Sequence, residues 1–541
     1  MPIPASIPVR FTPRGLADAY DSTDVFLGAC RGLSNLVFDP SNPELVVVRP
    51  GIGAALTSFA GFTTPGFVSI QVTIGTRVFG MVATGLTAGI DQPFCYDLAA
   101  SAFVAVTGST AGNAEGRPAS PATSGAWTPP TMAVIGNYLI ITHPGYTGVG
   151  ISFFGAINLT TLAYTSQNAA TNLLTAVPKA VTNLNNRAYF AVNNTTEYTD
   201  VLNPLTRTLA GMAITLGDST PVLGLSGLPI QTTTSGIAAA LLVFKEKQIW
   251  QIIGDAATTL ATNYLSLQIG CAAPRSIQTS PLGVFFAGPD APYIVTPMGA
   301  VTQVANQLGQ LGSMADIAQP FANVTQPSRI AGAFAANIYR VCIPTVVDGL
   351  AVTADYWFDT KRLRWNGPHT FNYDCASSAG TYFILSGVGA LNKLFASTIV
   401  PKVGSSVTDN AVAFNVILTT TDFPKRDEMS MKQIIESTIE LASSGASVSY
   451  SVQAFDEAHN FMSQVSIATQ VTGAIWGAFI WGDVVWGASL NRPKTYVVPW
   501  DAPLVFNKFS LTISAVASTN VAIGTFYARM QKTQYTLQVS A

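Results

Sequence analysis

Runs of four to eight residues rich in Val, Ile, Thr, Phe and Tyr recur along the chain, each bounded by Gly, Asn, Asp or Pro. This is the pattern of strands that pack on a pleated surface and end in tight turns. It predicts strands at Val68–Thr73, Tyr138–Thr142, Ala188–Val192, Leu241–Phe244, Gly283–Phe286, Tyr339–Ile343 and Tyr382–Leu385. Helical spacing is scarce. Ser430–Leu441 shows some of it, but its β-branched Ile and Thr suit a strand equally. A short piece around Ala315–Phe321 also reads as helical.

The strands fall into a loose repeat of strand, turn with Gly, Asn or Lys, and aromatic-containing strand. Its copies begin at residues 72, 132, 184, 241, 281, 336 and 380. Four-stranded propeller blades recur every ~40–50 residues, so the expected fold is all-β: a β-propeller-like repeat domain with insertions. The alternative is a pair of β-sandwiches. The texture changes near residue 400. Val412–Thr420 reads as a strand. Lys425–Leu441 and Ser447–Phe455 read as a hairpin across Ser443-Ser444-Gly445, and Phe506–Ala515 with Ala522–Met530 as another. The expected division is therefore an N-terminal docking segment (1–65), a propeller-like domain (66–400) and a C-terminal β-rich sandwich (401–541), whose last strands are candidates to close the propeller.

Composition narrows the function classes. The 541 residues hold 27 Lys and Arg and 29 Asp and Glu, and charged residues make up 10%, against roughly 25% in an ordinary globular chain. Hydrophobic residues make up 48%, which excludes a disordered chain. A net charge of −2 with no basic run excludes a tight nucleic-acid grip. A soluble monomer needs a charged, patch-poor surface, so this composition predicts surface covered by copies of the chain or by partners. The stretch Pro118–Pro178 has no Asp, Glu, Lys or Arg, yet prolines and polar residues cut it too often for a membrane span; it reads as a buried or ring-lining insertion. The N-terminus has no apolar signal core. Cys30, Cys95, Cys271, Cys342 and Cys375 are scattered, with no C-x-x-C pair, and read as buried reduced thiols of a protein made in a cytoplasm.

Candidate chemistry is sparse. Asp456-Glu457-Ala458-His459 spells a helicase box, but the chain has no Gly-Lys to build a phosphate loop, and the four residues read as a charged turn. His143, His369 and His459 lie far apart, each beside a turn residue, and read as turn or surface histidines. Glycosidases need only two carboxylates, which makes Asp290, Asp355, Asp359 and Asp374 the sharpest enzymatic candidates; the competing reading gives them structural turn roles. No catalytic, cofactor-binding or metal-binding residue is assigned, and no cofactor is expected.

Trp476, Trp481 and Trp486 each precede a glycine in WGAFIWGDVVWGASL. A five-residue step gives a single stripe on neither a strand nor a helix. The three tryptophans are candidates for an inter-subunit or inter-domain contact in a turn-rich loop, with sugar binding as the alternative.

Four islands carry a family resemblance: LSNLVFDPSNPELVVVRPGIGA (Leu33–Ala54), LLVFKEKQIWQIIGD (Leu241–Asp255), IGCAAPRSIQTSPLGVFFAGPDAPYIV (Ile269–Val295), and the Trp-Gly repeat with the strand that follows it to Met530. In this order they resemble the tail nozzle, or distal tail tube, proteins of short-tailed bacteriophages, including the packaged-DNA stabilisation proteins. Ala291 after Asp290 departs from the glycine of that pattern. The resemblance implies a non-enzymatic virion protein, made in the host cytoplasm. It implies a ring, commonly a hexamer, that continues the DNA channel, retains packaged DNA and lets it exit. The implied partners are further copies of the chain, the tail adaptor, tail fibre, spike or needle proteins, and DNA passing without sequence specificity. The competing reading is a carbohydrate-binding or depolymerising tailspike or adhesin.

Overall fold

The computed structural model describes residues 6–17, 28–40, 42, 44–59, 68–82, 90–108, 118–119, 129–146, 153–167, 173–209, 211–232, 236–254, 260–304, 321, 324, 326–347, 350–371, 373–387, 393–398, 407–423, 430–444, 446–469, 493–517 and 519–533. Among them the chain is a β-propeller joined to a β-sandwich. Six four-stranded sheets stand as separate blades, and a seventh four-strand unit completes the ring and continues into a larger sheet. The units run 68–104, 131–167, 180–215, 224–266, 273–303, 331–369 and 373–398, numbered here as blades 1 to 7. Their first strands contact one another in order, from Val68–Ile74 round to Tyr373–Ala379 and back.

The second strand of each blade shows why the sequence reads as unbroken apolar runs. In blade 4 (Gly236–Phe244), Leu241 and Val243 pack on Tyr189 and Ala191 of blade 3, while Leu242 and Phe244 pack on Val284 and Phe286 of blade 5. Phe244 and Phe286 meet at 5.1 Å between ring centres. A strand buried on both faces needs no polar alternation. The turn between the first two strands carries the punctuation seen in the repeat. Gly75, Gly136 and Gly380 take positive φ there, and the pairs Asn185–Asn186 and Ala336–Asn337 do so as two-residue hairpin turns.

Most of the described part of the charge-free stretch Pro118–Pro178 is a blade rather than an insertion: it forms blade 2, whose four strands run from Thr131–Ile135 to Tyr164–Gln167. Of Ala315–Phe321, only Phe321 lies within the described residues.

The strands up to Ser58 lace the molecule together. Ser6–Phe11 pairs with Val521–Lys532 in the sandwich. Thr57–Ser58 supplies the fourth strand of blade 7 by pairing with Lys393–Thr398. Ala29–Ser34 joins Asn415–Thr420 on one side and meets Arg364–His369, the last strand of blade 6, at Leu33↔Gly367 on the other. One ten-stranded sheet therefore runs from the blade 6 strand Ala331–Ala335 out to Phe461–Ala468 at the far edge of the sandwich. Gly367 sits at the join with φ +129°, and a Cβ there would lie 2.9 Å from the Asp355 carbonyl oxygen.

Both hairpins expected in the sandwich are corrected. Ser430–Leu441 is a strand, Lys432–Ser443, but it pairs with Val521–Lys532 and Lys494–Val497. Ser449–Asp456 lies in the opposite sheet, between Phe461–Ala468 and Phe509–Val516. Ser443 and Ser449 thus lie in opposite sheets, as do Val516 and Val521. Ile439 and Leu441 bury against Val452 and Leu511, and Phe509 against Phe526, so facing the common core replaces local pairing.

At the seam between propeller and sandwich, Arg49 is 1% exposed. Its guanidinium forms a bidentate pair with Asp409, donates to Asn35 Oδ1 at 2.9 Å, and lies 4.3 Å over the Phe414 ring. Asn35 in turn donates to the Asn415 carbonyl and accepts from Thr370 at the start of blade 7. Breaking a buried ion pair by removing one partner costs ~3–5 kcal/mol, whereas replacing both with apolar groups costs much less. Arg49→Met is therefore expected to lose about 3 kcal/mol in urea unfolding at pH 7, with the double variant Arg49→Met, Asp409→Leu recovering most of it. Equal losses in both would show that the pair does not carry the seam.

Candidate functional site: the propeller channel

The first strands of all seven blades enclose a central cavity of about 400 Å³. Its wall is built from Gln71, Thr73, Thr131, Ser226, Gln278 and Ser377 among small and apolar neighbours, and among the described residues Arg275 is the one charged residue in it. Polar groups in and beside the wall bind the neighbouring blade. Thr73 meets Ser377 at 2.7 Å across blades 1 and 7, and Gln71 donates to the Ile384 carbonyl there. Val181 N–H donates to Thr131 Oγ1 across blades 2 and 3. Ser226 meets Thr279 across blades 4 and 5, and Gln278 donates to the Gly332 carbonyl across blades 5 and 6. The guanidinium of Arg275 donates to carbonyls of Ser69, Asp374 and Arg329, so one blade 5 side chain reaches blades 1 and 7 and the link before blade 6. Its charge is directed at backbone oxygens. Cys375, beside it, donates to the Val68 carbonyl, and burial pushes its thiol up to about 11. All five cysteines are free and buried; burial raises the thiols of Cys95 to about 11 and Cys271 to about 12. None is poised as a thiolate nucleophile.

Two of the three histidines are corrected from the surface to the interior. His143 is 1% exposed; its Nδ1 accepts from Gly145 N–H, so Nε2 carries the proton and donates to Asp91 Oδ2 at 2.6 Å. Ser69 donates to the same oxygen. Serine, aspartate and histidine thus meet, but with the aspartate in the middle and all three sealed from solvent, which is not the order of a nucleophilic triad. Gly145 permits the turn, because a Cβ there would lie 1.9 Å from the Ala119 oxygen. His369 is also buried, edge-on to Trp357 at 4.7 Å, and neither ring nitrogen has a partner among the described residues. Burial, with Arg49 and Arg340 nearby, holds its pKa well below the usual range. His459 lies exposed in the Asp456–His459 turn, where Asp456 accepts from the Ala458 and Asn460 N–H groups.

The carboxylates divide between turns and the interior. Asp359 accepts from the Lys361 and Arg362 N–H groups and pairs with the Arg362 side chain. Asp290 accepts from Tyr293 Oη at 2.9 Å. Asp355 and Asp374 are not turn residues. Asp355 is fully buried: Arg340 Nε donates to both its oxygens at 2.8 and 3.0 Å, and Trp357 Nε1 and Tyr373 Oη donate as well. Burial pushes its carboxyl up against the pull of these donors. Asp374 is likewise raised by burial, with Arg275 and Arg329 opposing. Arg340 was missed as a structural residue, although a lone arginine inside the apolar strand of ANIYRVCIP is a legible signal of a buried partner. Trp476, Trp481 and Trp486 lie outside the described residues.

No known protein family matches the chain, and no curated protein matches it. Solved structures do match. A Mycobacterium tuberculosis puromycin-hydrolyzing peptidase is 9% identical with a TM-score of 0.36, covering 68% of this chain. The β-propeller domain of the Trilobed protease from Pyrococcus furiosus is 10% identical with a TM-score of 0.35, covering 62% of this chain and 94% of that domain. The chain spans 60% of the peptidase's length.

The buried histidine gives a signed pH effect. His369 stays neutral in the fold while the unfolded chain takes up a proton below about pH 6.5. Stability is expected to fall by about 1.4 kcal/mol per pH unit from this one group as pH drops below 6.5. Urea unfolding at pH 7.0, 6.0 and 5.5 should show His369→Phe losing less stability than the wild type over that range; identical slopes would contradict a neutral buried imidazole.

Proposed function

We propose that this protein is a structural virion component: a subunit of the tail nozzle ring of a short-tailed phage, which continues the DNA channel, retains packaged DNA and lets it exit on infection. The observation that carries the reading is the ten-stranded sheet shared by propeller and sandwich, together with the Arg49 seam. A ring that resists packaged-DNA pressure needs subunits whose parts do not hinge, and a continuous backbone ladder supplies that stiffness. The four islands of resemblance support it: Leu33–Ala54 forms much of the seam, and Ile269–Val295 carries the Arg275 clamp. His143, His369 and the buried carboxylates of the described residues serve internal packing, which favours a scaffold over the tailspike alternative.

A chain with few cations also suits passage of DNA without capture, because each phosphate neutralised adds affinity. The purified chain is expected to bind duplex DNA more weakly than ~10⁻⁴ M at physiological salt, outside the usual range of non-specific binders. A salt-sensitive micromolar affinity would contradict a slippery channel. The ring itself is tested by electron microscopy of the chain with purified tails. The expected result is an axial ring with a central hole at the distal end; a compact trimer that cleaves host polysaccharide would establish the tailspike instead.

A further inference from the structure

Sheet edges in soluble proteins are ordinarily blunted by charge, proline or short length, because an exposed edge is a template for another strand. The outermost strands of blades 1, 2, 3, 4, 5 and 7 contain no Lys, Arg, Asp, Glu or Pro. Most are protected in other ways. Those of blades 1, 3, 5 and 7 have two or three residues. Tyr164–Gln167 in blade 2 is covered at its start by Thr107, which exchanges backbone hydrogen bonds with Leu162 and Tyr164. Ala261–Ser266 in blade 4 has no such protection among the described residues. It is six residues long, it ends its sheet, and Ala261, Thr262, Asn263 and Tyr264 are all exposed, Tyr264 by 64%. Leu267 and Met298, exposed by 54% and 94%, lie close to this edge in the chain and in the adjoining turn, since a Cβ on Gly299 would sit 3.3 Å from Leu265.

A second edge has the same character. Among the described residues Phe461–Ala468 is the terminal strand of the ten-stranded sheet, eight residues long, uncharged and free of proline. Phe461, Gln464, Ser466 and Ala468 are exposed along it. Other terminal strands of the sandwich are charged or short: Ser6–Phe11 carries Arg10, Lys494–Val497 carries Lys494, and Leu36–Phe38 and Val505–Phe506 have three and two residues.

Resting on the ring reading above, we propose that copies of this chain associate head to tail by strand addition, the Ala261–Ser266 edge of one copy pairing with the Phe461–Ala468 edge of the next. Both edges are neutral and of similar length, so main-chain hydrogen bonds form without desolvating a charge, and the exposed aromatic at each edge, Tyr264 and Phe461, gains cover. Two different patches on one subunit make a heterologous contact, which generates a ring where the rotation closes.

A lysine at either edge restores the missing guard. Sedimentation velocity of the purified chain should show concentration-dependent assembly. Thr262→Lys and Ser466→Lys should each raise the concentration needed for assembly at least ~tenfold, with thermal midpoints unchanged, as expected for exposed positions. Each variant keeps one intact edge, so an equimolar mixture should form dimers that grow no further. An Asn263→Cys, Gln464→Cys chain should form inter-subunit disulfides on oxidation. A wild type that stays monomeric, single variants that assemble as the wild type does, or a mixture that forms no dimer would each overturn the pairing. The nozzle reading fails differently: a chain that assembles through these edges yet is absent from tail rings would sink that reading and leave the edges standing.

Discussion

The structure depends on the buried contact of Arg49 with Asp409 and Asn35. A propeller and a sandwich would ordinarily meet across a soft interface and move relative to each other. Here the interface is crossed by a sheet, and the crossing point carries a guanidinium that is 1% exposed with hydrogen bonds on every side toward which it points. Asn35 occupies a positive φ of 56° and serves three segments at once: its own strand region, the Asn415 carbonyl of the sandwich and Thr370 at the entry to blade 7. The N-terminal segment is therefore the lacing of the molecule: it closes blade 7 through Thr57–Ser58 and edges the sandwich through Ser6–Phe11.

Ring closure follows a related logic on the channel side. Seven sheets packed face to face leave the first strands crowded round an axis, where carbonyls and short side chains face a narrow space. Hydroxyl and amide groups there are used between blades, as at Thr73–Ser377 and Ser226–Thr279, and Arg275 gathers three carbonyls from the closing side of the ring. Buried polar groups that satisfy one another add specificity of register without a net charge. The same economy of charge extends to the blade edges, where solubility would ordinarily demand it.

Much of the fold was legible because propeller order is local. Six of the seven repeat copies contain the turn between the first two strands of a blade, and most of the residues that mark it, Gly75, Gly136, Asn185–Asn186, Ala336–Asn337 and Gly380, take positive φ. The apolar run after that turn is the second strand; the copy at 241 instead spans the end of the second strand of blade 4 and its turn into the third. The sandwich was less legible because its pairings are distant. Lys432–Ser443 finds Val521–Lys532 across some ninety residues, and the strand that follows Ser443-Ser444-Gly445, Ser449–Asp456, lies in the opposite sheet rather than completing a hairpin. Charge in the interior was the least legible. His143 and His369 sit next to turn residues and still face inward, because Asp91 accepts from the first and Trp357 covers the second. Asp355 reads as a turn aspartate until Arg340, opposite on the neighbouring strand, gives it a buried counter-ion.

The central claim is that propeller and sandwich form one mechanical unit through the strand Ala29–Ser34. Native-state hydrogen exchange tests it most directly. Amides of Ala29–Ser34 and Asn415–Thr420 should exchange with the same opening free energy as the second strands of blades 5 and 6, and lose protection together with them as urea is raised. Exchange at Ala29–Ser34 through a separate, low-energy opening, with the blades still protected, would show that the two parts hinge and would contradict the account.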